Sequence, residues 1–253
     1  MRTVFFRAWK TLITAYLISL ALSWATGWLL IHIINIQPQT LFEIATKRIS
    51  YALPVLEAGS EKGFDRSIVL FIWNSLACLA IMSFIYTACW FDPNHSNRFP
   101  HLIRKLFCSK NKMKLLCYLP GCSKIEAEPL RRLYLWLQVP FYGILLLGIE
   151  NGLGISTAPT ILGSYQKGLI ALLPHGIIEI PAICLAGAVV YAAHLHIKAN
   201  IQTDPTADKF KAVEKYRKTL PFKKIAAVVI VALLIASIIE AHVTLEIMAK
   251  LMG

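Results

Sequence analysis

Six polar side chains that are costly to place in a membrane stand inside long apolar stretches of this sequence. They are Asn74, Glu150, Asn151, His175, Glu179 and Glu240. Imidazole and carboxylate groups bind Zn²⁺ and other divalent ions, and they also transfer protons in acid–base catalysis. His175 and Glu179 are four residues apart, so they share one face of a helix. We therefore treat these two as candidate catalytic residues and, together with Glu150 and Glu240, as a candidate metal-binding set for an ion such as zinc.

The stretches that hold these side chains have the length and composition of membrane spans. Hydrophobic residues make up 57% of the 253 residues and charged residues only 16%, with a mean hydropathy of +0.58. A helix needs about 20 apolar residues to cross a bilayer. Five stretches qualify, at about 11–35, 67–91, 133–155, 168–197 and 225–248. The sequence predicts an all-α, polytopic protein of the cell (plasma) membrane, with one membrane domain over residues 1–253.

The distribution of basic residues predicts the orientation of the chain. Of the 26 lysines and arginines, 20 lie in segments 1–10, 92–132 and 198–224, which fall on one side of a five-span protein. Because loops rich in Lys and Arg stay in the cytoplasm, we predict that the N-terminus is inside and the C-terminus outside. The basic cytoplasmic loops 92–132 and 198–224 then face anionic membrane lipid. They account for much of the net charge of +12, and no nucleic acid is expected as a partner.

The fourth stretch contains Pro174 and Pro181, so we expect this span to be kinked or broken, with backbone groups exposed beside His175. In the predicted orientation all six polar side chains fall in the outer half of the bilayer. Each ionisable group costs about 2.5–3.5 kcal/mol at membrane depth on insertion scales. We therefore expect the six to meet in one sheltered polar site. The alternative is that they only hydrogen-bond the helices together.

Weaker patterns occur near helix ends and in loops. For the HxH pair His194 and His196 we favour solvation over metal binding. The three glycines within residues 148–154 permit close approach of helices, although we do not assign them a GxxxG motif. A short amphipathic helix is expected around residues 41–56. Residues 206–220 fit either a basic helix on the inner membrane surface or a solvated linker, and we favour the linker.

Three sequence elements resemble those of a known membrane family. They are ENGLG at residues 150–154, LLPHGIIEIPAI at residues 172–183 and LLIASIIEA at residues 233–241. In this order they resemble the NGxxiG, LPHGxxElpAi and LliAaxiEa elements of the stage II sporulation protein M-like membrane family. Asn74 falls in the Asn-containing part of that family's second span, where the usual pair of asparagines is replaced here by Asn74 and Ser75.

The resemblance implies a membrane component without an established reaction of its own. The sporulation member acts as an anchor or scaffold with cell-wall-degrading partners, and other members accompany ABC-type transporters or the maturation of circular bacteriocins. We therefore expect a non-enzymatic scaffold or permease-like transport subunit in a multiprotein complex for envelope remodelling or peptide export and maturation. Its expected partners are membrane lipid and a cell-wall hydrolase or ABC-type transporter components, with a homo-oligomer as a further option.

Two other functions stay open on the residues alone. A metal-dependent intramembrane hydrolase or peptidase would use His175 and Glu179, with Zn²⁺ or another divalent ion activating water. A proton or ion pathway would use the same carboxylates as relay groups. Against a pathway, the inner half of the spans offers little beyond Gln138.

Overall fold

A computed structural model describes residues 2–92, 125, 127–198 and 206–252 of the protein. These residues are largely helical and include no strand, which confirms the predicted all-α class. Most of the predicted basic loop 92–132 and the first residues of the loop 198–224 lie outside the described residues.

The helices follow one another along the chain with short turns wherever consecutive ones are described. Their bounds are α1 Arg2–His32, α2 Pro38–Ser50, α3 Leu53–Glu61, α4 Arg66–Thr87, α5 Glu128–Ile161, α6 Tyr165–Lys198, α7 Thr206–Thr219, α8 Phe222–Ile238 and α9 Leu245–Met252. A 3₁₀ turn, Ala88–Phe91, follows α4. A π-helical segment, Ile239–Thr244, joins α8 to α9 without interruption.

Five helices of the described chain are long and apolar enough to cross a membrane, which confirms the predicted number of spans. They cover Thr3–His32, Arg66–Thr87, Pro129–Ile161, Tyr165–Lys198 and Phe222–Thr244. The third and fourth are longer than predicted at both ends. Large apolar side chains such as Leu22, Leu146 and Ile177 point outward on these helices, where lipid would cover them. The protein is therefore a multi-pass membrane protein, and its orientation stays a prediction.

The fourth span, α6, continues as one helix through both Pro174 and Pro181. The predicted break at these residues is therefore wrong, and the predicted kink is untested. A proline removes only one backbone donor, and in a bundle neighbouring groups can satisfy the carbonyl that it leaves without a partner. The helical surface that carries His175 and Glu179 is thus continuous.

Turn residues with positive φ follow three of the helices. Asn35 after α1, Gly63 after α3 and Gly163 after α5 have φ angles of 61°, 77° and 86°. Glycine and, to a lesser degree, asparagine adopt this conformation at low cost. These residues allow the chain to reverse over a few positions between consecutive helices.

Helix α6 lies at the centre of the bundle and packs against α1, α4, α5 and α8. Its residues 186–194 are buried throughout, and most of them are alanine, glycine or valine. Small side chains let neighbouring helices approach closely in a membrane, where packing rather than water exclusion holds helices together.

Helices α1 and α5 pack closely at two glycines of α5. A Cβ added at Gly148 would lie 2.7 Å from the Tyr16 carbonyl oxygen, and one added at Gly152 would meet the Leu20 carbonyl oxygen. These glycines are four residues apart, so they form the GxxxG contact that the sequence analysis did not assign. Gly154 has nothing within 4 Å of its added Cβ and takes no part in the contact.

Three shorter helices lie outside the spans. α2 packs on α5 and α3 packs on α4, so the expected amphipathic helix is present as two helices. α7 packs on α6 and α4 through Phe210, Val213 and Tyr216, which are all buried. Our prediction that residues 206–220 form a solvated linker is therefore wrong.

Candidate functional site

The centre of the candidate site is a hydrogen bond between two spans. The Asn74 side-chain amide of α4 donates to Glu179 Oε1 of α6 over 2.9 Å. Residue 74 is on the third turn of α4 and residue 179 is near the middle of α6, so the contact is at membrane depth. An ionisable group there needs polar neighbours, because lipid supplies none. Asn74 supplies one such neighbour for Glu179.

His175 lies one turn before Glu179 on the same face of α6. Its Nε2 is 4.0 Å from Glu179 Oε2, and the two side chains are only 12% and 16% exposed. On its other side, His175 Nδ1 lies 3.4 Å from Thr244 Oγ1. The imidazole is therefore held between a carboxylate of its own helix and a hydroxyl of the last span.

The last span reaches this site through its π-helical segment. A π segment has a wider turn than an α-helix and often occurs at functional sites. Here it contains both Glu240 and Thr244, which are four positions apart. One ligand atom from each of His175, Glu179 and Glu240 lies within 4.8 Å of the other two.

The structure thus brings together Asn74, His175, Glu179 and Glu240 of the six predicted residues. We call these four residues, with Thr244, the polar site. Its members come from three spans: α4, α6 and the last span, which comprises α8 and its π segment.

The other two predicted residues, Glu150 and Asn151, lie on α5. The Asn151 amide donates to the Tyr16 hydroxyl of α1 over 2.9 Å. The three-ligand group found among the described residues does not include Glu150, which is half-buried. Asn151 therefore links α1 to α5, and this hydrogen bond does not join it to the polar site.

A second polar contact, absent from the predicted set, joins α5 to α6. Gln138 Nε2 lies 3.2 Å from His194 Nε2, and the Tyr142 hydroxyl donates to Gln138 Oε1 over 3.0 Å. His194 is 1% exposed and packs against Tyr134 and Tyr191. The prediction that His194 is solvated is therefore wrong. His196 is exposed, so the two histidines do not form a metal-binding pair.

A further polar contact, between Asp65 and His242, lies at one end of the site, outside the apolar part of α4. Asp65 caps α4 by accepting a hydrogen bond from the Ser67 amide over 2.8 Å, and it also accepts from the Ser67 hydroxyl. Its Oδ1 is 3.4 Å from His242 Nε2 in the π segment. The hydrogen bonds from the Ser67 hydroxyl and amide, with a smaller effect of His242, hold the pKa of Asp65 below its ordinary value.

The sequence analysis did not predict two of these residues: Thr244, a member of the polar site, and Tyr16, the partner of Asn151 outside it. A threonine or tyrosine in a span is common and inexpensive, since its hydroxyl can bond to a carbonyl of its own helix or lie at an interface. The spacing of Glu240 and Thr244, four residues apart, is the one available signal. It points to a shared helical face only once Glu240 has been assigned to the site.

Comparison with known proteins finds a match to one family model. The family model described as "Stage II sporulation protein M" matches residues 68–245. This range extends from the third residue of α4 to the first residue of α9, and it contains every residue of the polar site. No curated protein and no solved structure matches the chain.

Proposed function

This chain belongs to the stage II sporulation protein M family, and from that premise we propose that it is a non-enzymatic membrane component of a multiprotein complex. In this role it is a scaffold or permease-like subunit, and partner proteins supply hydrolysis or energy. The complex acts in envelope remodelling or in peptide export and maturation. The polar site fixes the relative positions of the spans on which those partners assemble.

The observation that carries this proposal is the bond from Asn74 to Glu179. The carboxylate already accepts a hydrogen bond from another span, and His175 already has Glu179 and Thr244 as neighbours. These contacts join α4, α6 and the last span. The polar side chains, which are costly at membrane depth, therefore hold the helices in place. A general base, by contrast, must present its oxygen to a substrate or to an attacking water.

A docking surface for a partner is available on α7. Phe210, Val213 and Tyr216 anchor this helix to the bundle. Its opposite face exposes Lys211, Lys215 and Lys218. A rigid helix with exposed lysines can bind an acidic surface of a partner protein through complementary charge.

The proposal is tested by following assembly and function together in the native membrane. We expect Glu179→Gln, which keeps an oxygen acceptor for Asn74, to retain the complex on native gels and to complement a deletion strain. We expect Lys211→Glu combined with Lys215→Glu to lose both the complex and complementation. Ile177→Ala, on the exposed face of α6, is the matched control within the same helix.

The outcome against the proposal is equally specific. If Glu179→Gln assembles normally but fails to complement, the carboxylate itself is needed for chemistry and a purely structural role is wrong. Normal assembly and complementation by the double lysine variant would remove α7 as the docking surface.

The three-ligand group favours one alternative, a metal-dependent intramembrane hydrolase or peptidase. One imidazole and two carboxylates are a reasonable ligand set for Zn²⁺, which in catalytic sites binds three protein groups and a water. Ligands of a tetrahedral ion at about 2.1 Å lie roughly 3.4 Å apart, and the three ligand atoms here all lie within 4.8 Å of one another. A bound zinc would supply an activated water for hydrolysis.

Metal analysis separates the alternative from the scaffold. Protein purified without chelators should contain one zinc per chain if this site is catalytic, and His175→Ala and Glu240→Gln should each remove it. Peptide hydrolysis should disappear in the same variants. A preparation without stoichiometric metal that still supports function in the native membrane would contradict the hydrolase.

A further inference from the structure

An open groove with a volume of about 710 Å³ lies between α1 and α5, away from the polar site. Arg7, Lys10, Thr14 and Ile18 of α1 form one wall, and Phe141 and Leu145 of α5 form the other. The volume is within the range of small-molecule binding sites, roughly 300–1,000 Å³. The groove is therefore large enough to hold part of a lipid.

The α1 wall changes character along its length. Arg7, Lys10, Thr14 and Ile18 follow one another at spacings of three and four residues, so they form one stripe on the helix. Beyond Thr3 and Phe6, which line the groove nearest the N-terminus, the stripe is cationic at first, then carries a hydroxyl, and is apolar at its far end. This order matches the headgroup, ester region and acyl chain of a phospholipid.

The two cations of the stripe have no carboxylate partner within the part of the chain that is described. None of the ion pairs there includes Arg7 or Lys10, both of which are exposed. Lys10 Nζ instead lies 4.7 Å above the ring of Phe6. Two neighbouring positive charges without a protein anion attract an anion from outside the chain.

The level of the cationic end agrees with a membrane interface. Arg7 and Lys10 flank Trp9 within the first three turns of α1. Trp136, five residues before Phe141 on α5, donates to the Phe84 carbonyl near the end of α4. Tryptophan and basic residues concentrate near the headgroup region of a bilayer. This level favours the phosphate of a lipid headgroup over a free phosphate.

We infer that the groove binds one phospholipid with a net negative headgroup, with the phosphate beside Arg7 and Lys10 and an acyl chain along Ile18, Phe141 and Leu145. Basic pockets between transmembrane helices are suited to anionic headgroups. An apolar helix of a partner or of a second copy would leave both cations without a counter-charge, so charge complementarity favours the lipid. The inference does not depend on the proposed function.

Native mass spectrometry of the full-length protein tests this inference. The protein is titrated in detergent with phosphatidylglycerol or with phosphatidylcholine of the same chain length. We expect wild type to retain one phosphatidylglycerol in preference to phosphatidylcholine. Arg7→Gln combined with Lys10→Gln should weaken phosphatidylglycerol binding by about 10- to 30-fold, on the order of the contribution of two basic residues at a membrane surface.

Two further variants keep the test decisive. Lys223→Gln combined with Lys224→Gln removes the same charge from exposed positions at the start of α8 and should leave binding unchanged. Thr14→Trp keeps both cations but fills the groove, and it should also reduce lipid retention, whereas Thr14→Ser should not. Circular dichroism checks that each variant is folded.

Three outcomes would overturn the inference. Equal loss in the two charge-removal variants would show diffuse electrostatic attraction in place of a site. Equal retention of the two lipids by wild type would remove the preference for negative charge. A wild-type dimer that Thr14→Trp converts to a monomer would assign the groove to a second copy of the chain.

Discussion

The side chains of the polar site stabilise the bundle only as a set, because each is costly without its neighbours. Glu179 accepts a hydrogen bond from Asn74, and His175 lies between Glu179 and Thr244. Removal of one member leaves the others at membrane depth with fewer partners. Such a loss exceeds the small average gain of a hydrogen bond between membrane helices, about 0.6 kcal/mol.

Asn74→Ala is expected to lower the free energy of unfolding by about 1.5–3 kcal/mol, the range for hydrogen bonds to charged groups. The reason is that Glu179 then keeps its carboxylate in the bundle without the Asn74 donor. Unfolding in mixed detergent micelles measures the change. In a double-mutant cycle with Glu179→Ala, which removes the acceptor of this bond, we expect a coupling energy clearly above zero.

Ser75→Ala is the matched control for this prediction. Ser75 is the next residue of α4 and is also buried, but its hydroxyl has no hydrogen-bond partner in the described chain. Its removal should leave stability unchanged or slightly raised. Equal destabilisation by Asn74→Ala and Ser75→Ala would show that local packing, and not the bond to Glu179, holds this part of α4.

For individual side chains, the sequence predicted most residues of the polar site but only some of the contacts between them. His175 and Glu179 could be placed together because their spacing of four positions defines a helical face. The partner Thr244 has the same spacing from Glu240, but hydroxyl side chains are common within spans, so this signal did not single it out. Asn151 was placed with the others by depth alone, and depth does not determine which way a side chain points around its helix.

The contact between helices α1 and α5 depends on two glycines of α5, because a residue without a side chain lets the two backbones approach closely. We expect Gly148→Ala and Gly152→Ala each to destabilise the protein by about 1–3 kcal/mol, as overpacking does. The added Cβ meets backbone atoms of α1, namely the Tyr16 carbonyl oxygen and the Leu20 carbonyl oxygen. Backbone cannot rotate away, so the helices must separate.

Gly154→Ala provides the comparison within the same helix. Its added Cβ has nothing within 4 Å, and alanine favours a helix more than glycine does by about 1 kcal/mol. Thermal unfolding should show no loss for this variant. Loss of stability at Gly154 comparable to that at Gly152 would mean that glycine flexibility, and not close approach, is what α5 requires.

The N-terminal cap of α4 makes the stability of the fold depend on pH, and the direction of that dependence can be predicted. The Ser67 hydrogen bonds lower the pKa of Asp65 in the folded protein, so ionised Asp65 stabilises the fold above its unfolded pKa. That contribution is lost as pH falls below about 4, through the folded pKa. Thermal unfolding of wild type and Asp65→Asn should therefore differ most near neutral pH and converge in acid.

Glu246→Gln is a suitable control for the acid titration. Glu246 is also an exposed carboxylate, in an ion pair with Lys250 of its own helix. Its removal should leave the pH dependence of wild type almost unchanged. A constant difference between wild type and Asp65→Asn at every pH would show that the carboxylate charge does not contribute through the cap or through His242.

The polar composition of helix α7 explains why the sequence favoured a solvated linker for this segment. Its apolar contacts come from three positions, Phe210, Val213 and Tyr216, spaced three residues apart among many charges. That spacing is compatible with a helix but too sparse to outweigh the charge content. The site on the bundle that receives these side chains is formed by α4 and α6, which no local pattern reveals.

For the whole molecule, length and hydropathy were sufficient to predict five spans, because the cost of burying a backbone without hydrogen bonds leaves few alternatives to helices in lipid. The ends of the third and fourth spans were less accurate. α5 and α6 extend beyond their apolar centres through residues such as Pro129 and Lys198, which hydropathy alone excludes.

The orientation can be measured directly. We predict that alkaline phosphatase fused after Gly253 is active outside the cell and that the same enzyme fused after Lys224 is inactive, because 20 of the 26 basic residues lie in segments assigned to the cytoplasm. The reverse pattern of activity would contradict the predicted orientation. Fluorescent protein fusions at the same positions should give the complementary signal.

The π segment leaves the final span out of phase with an ordinary helix. An α-helix turns by about 100° per residue, and a widened turn holds one residue more than usual. Deleting one residue between Ile239 and Thr244 would let the segment close into regular α-helix. Because the widened turn holds the extra residue, its loss would leave the parts of the span before and after the deletion facing the bundle as they do now. In an ordinary helix the same deletion would turn one part by about 100°, so the π segment makes this position of the last span tolerant of a change in length.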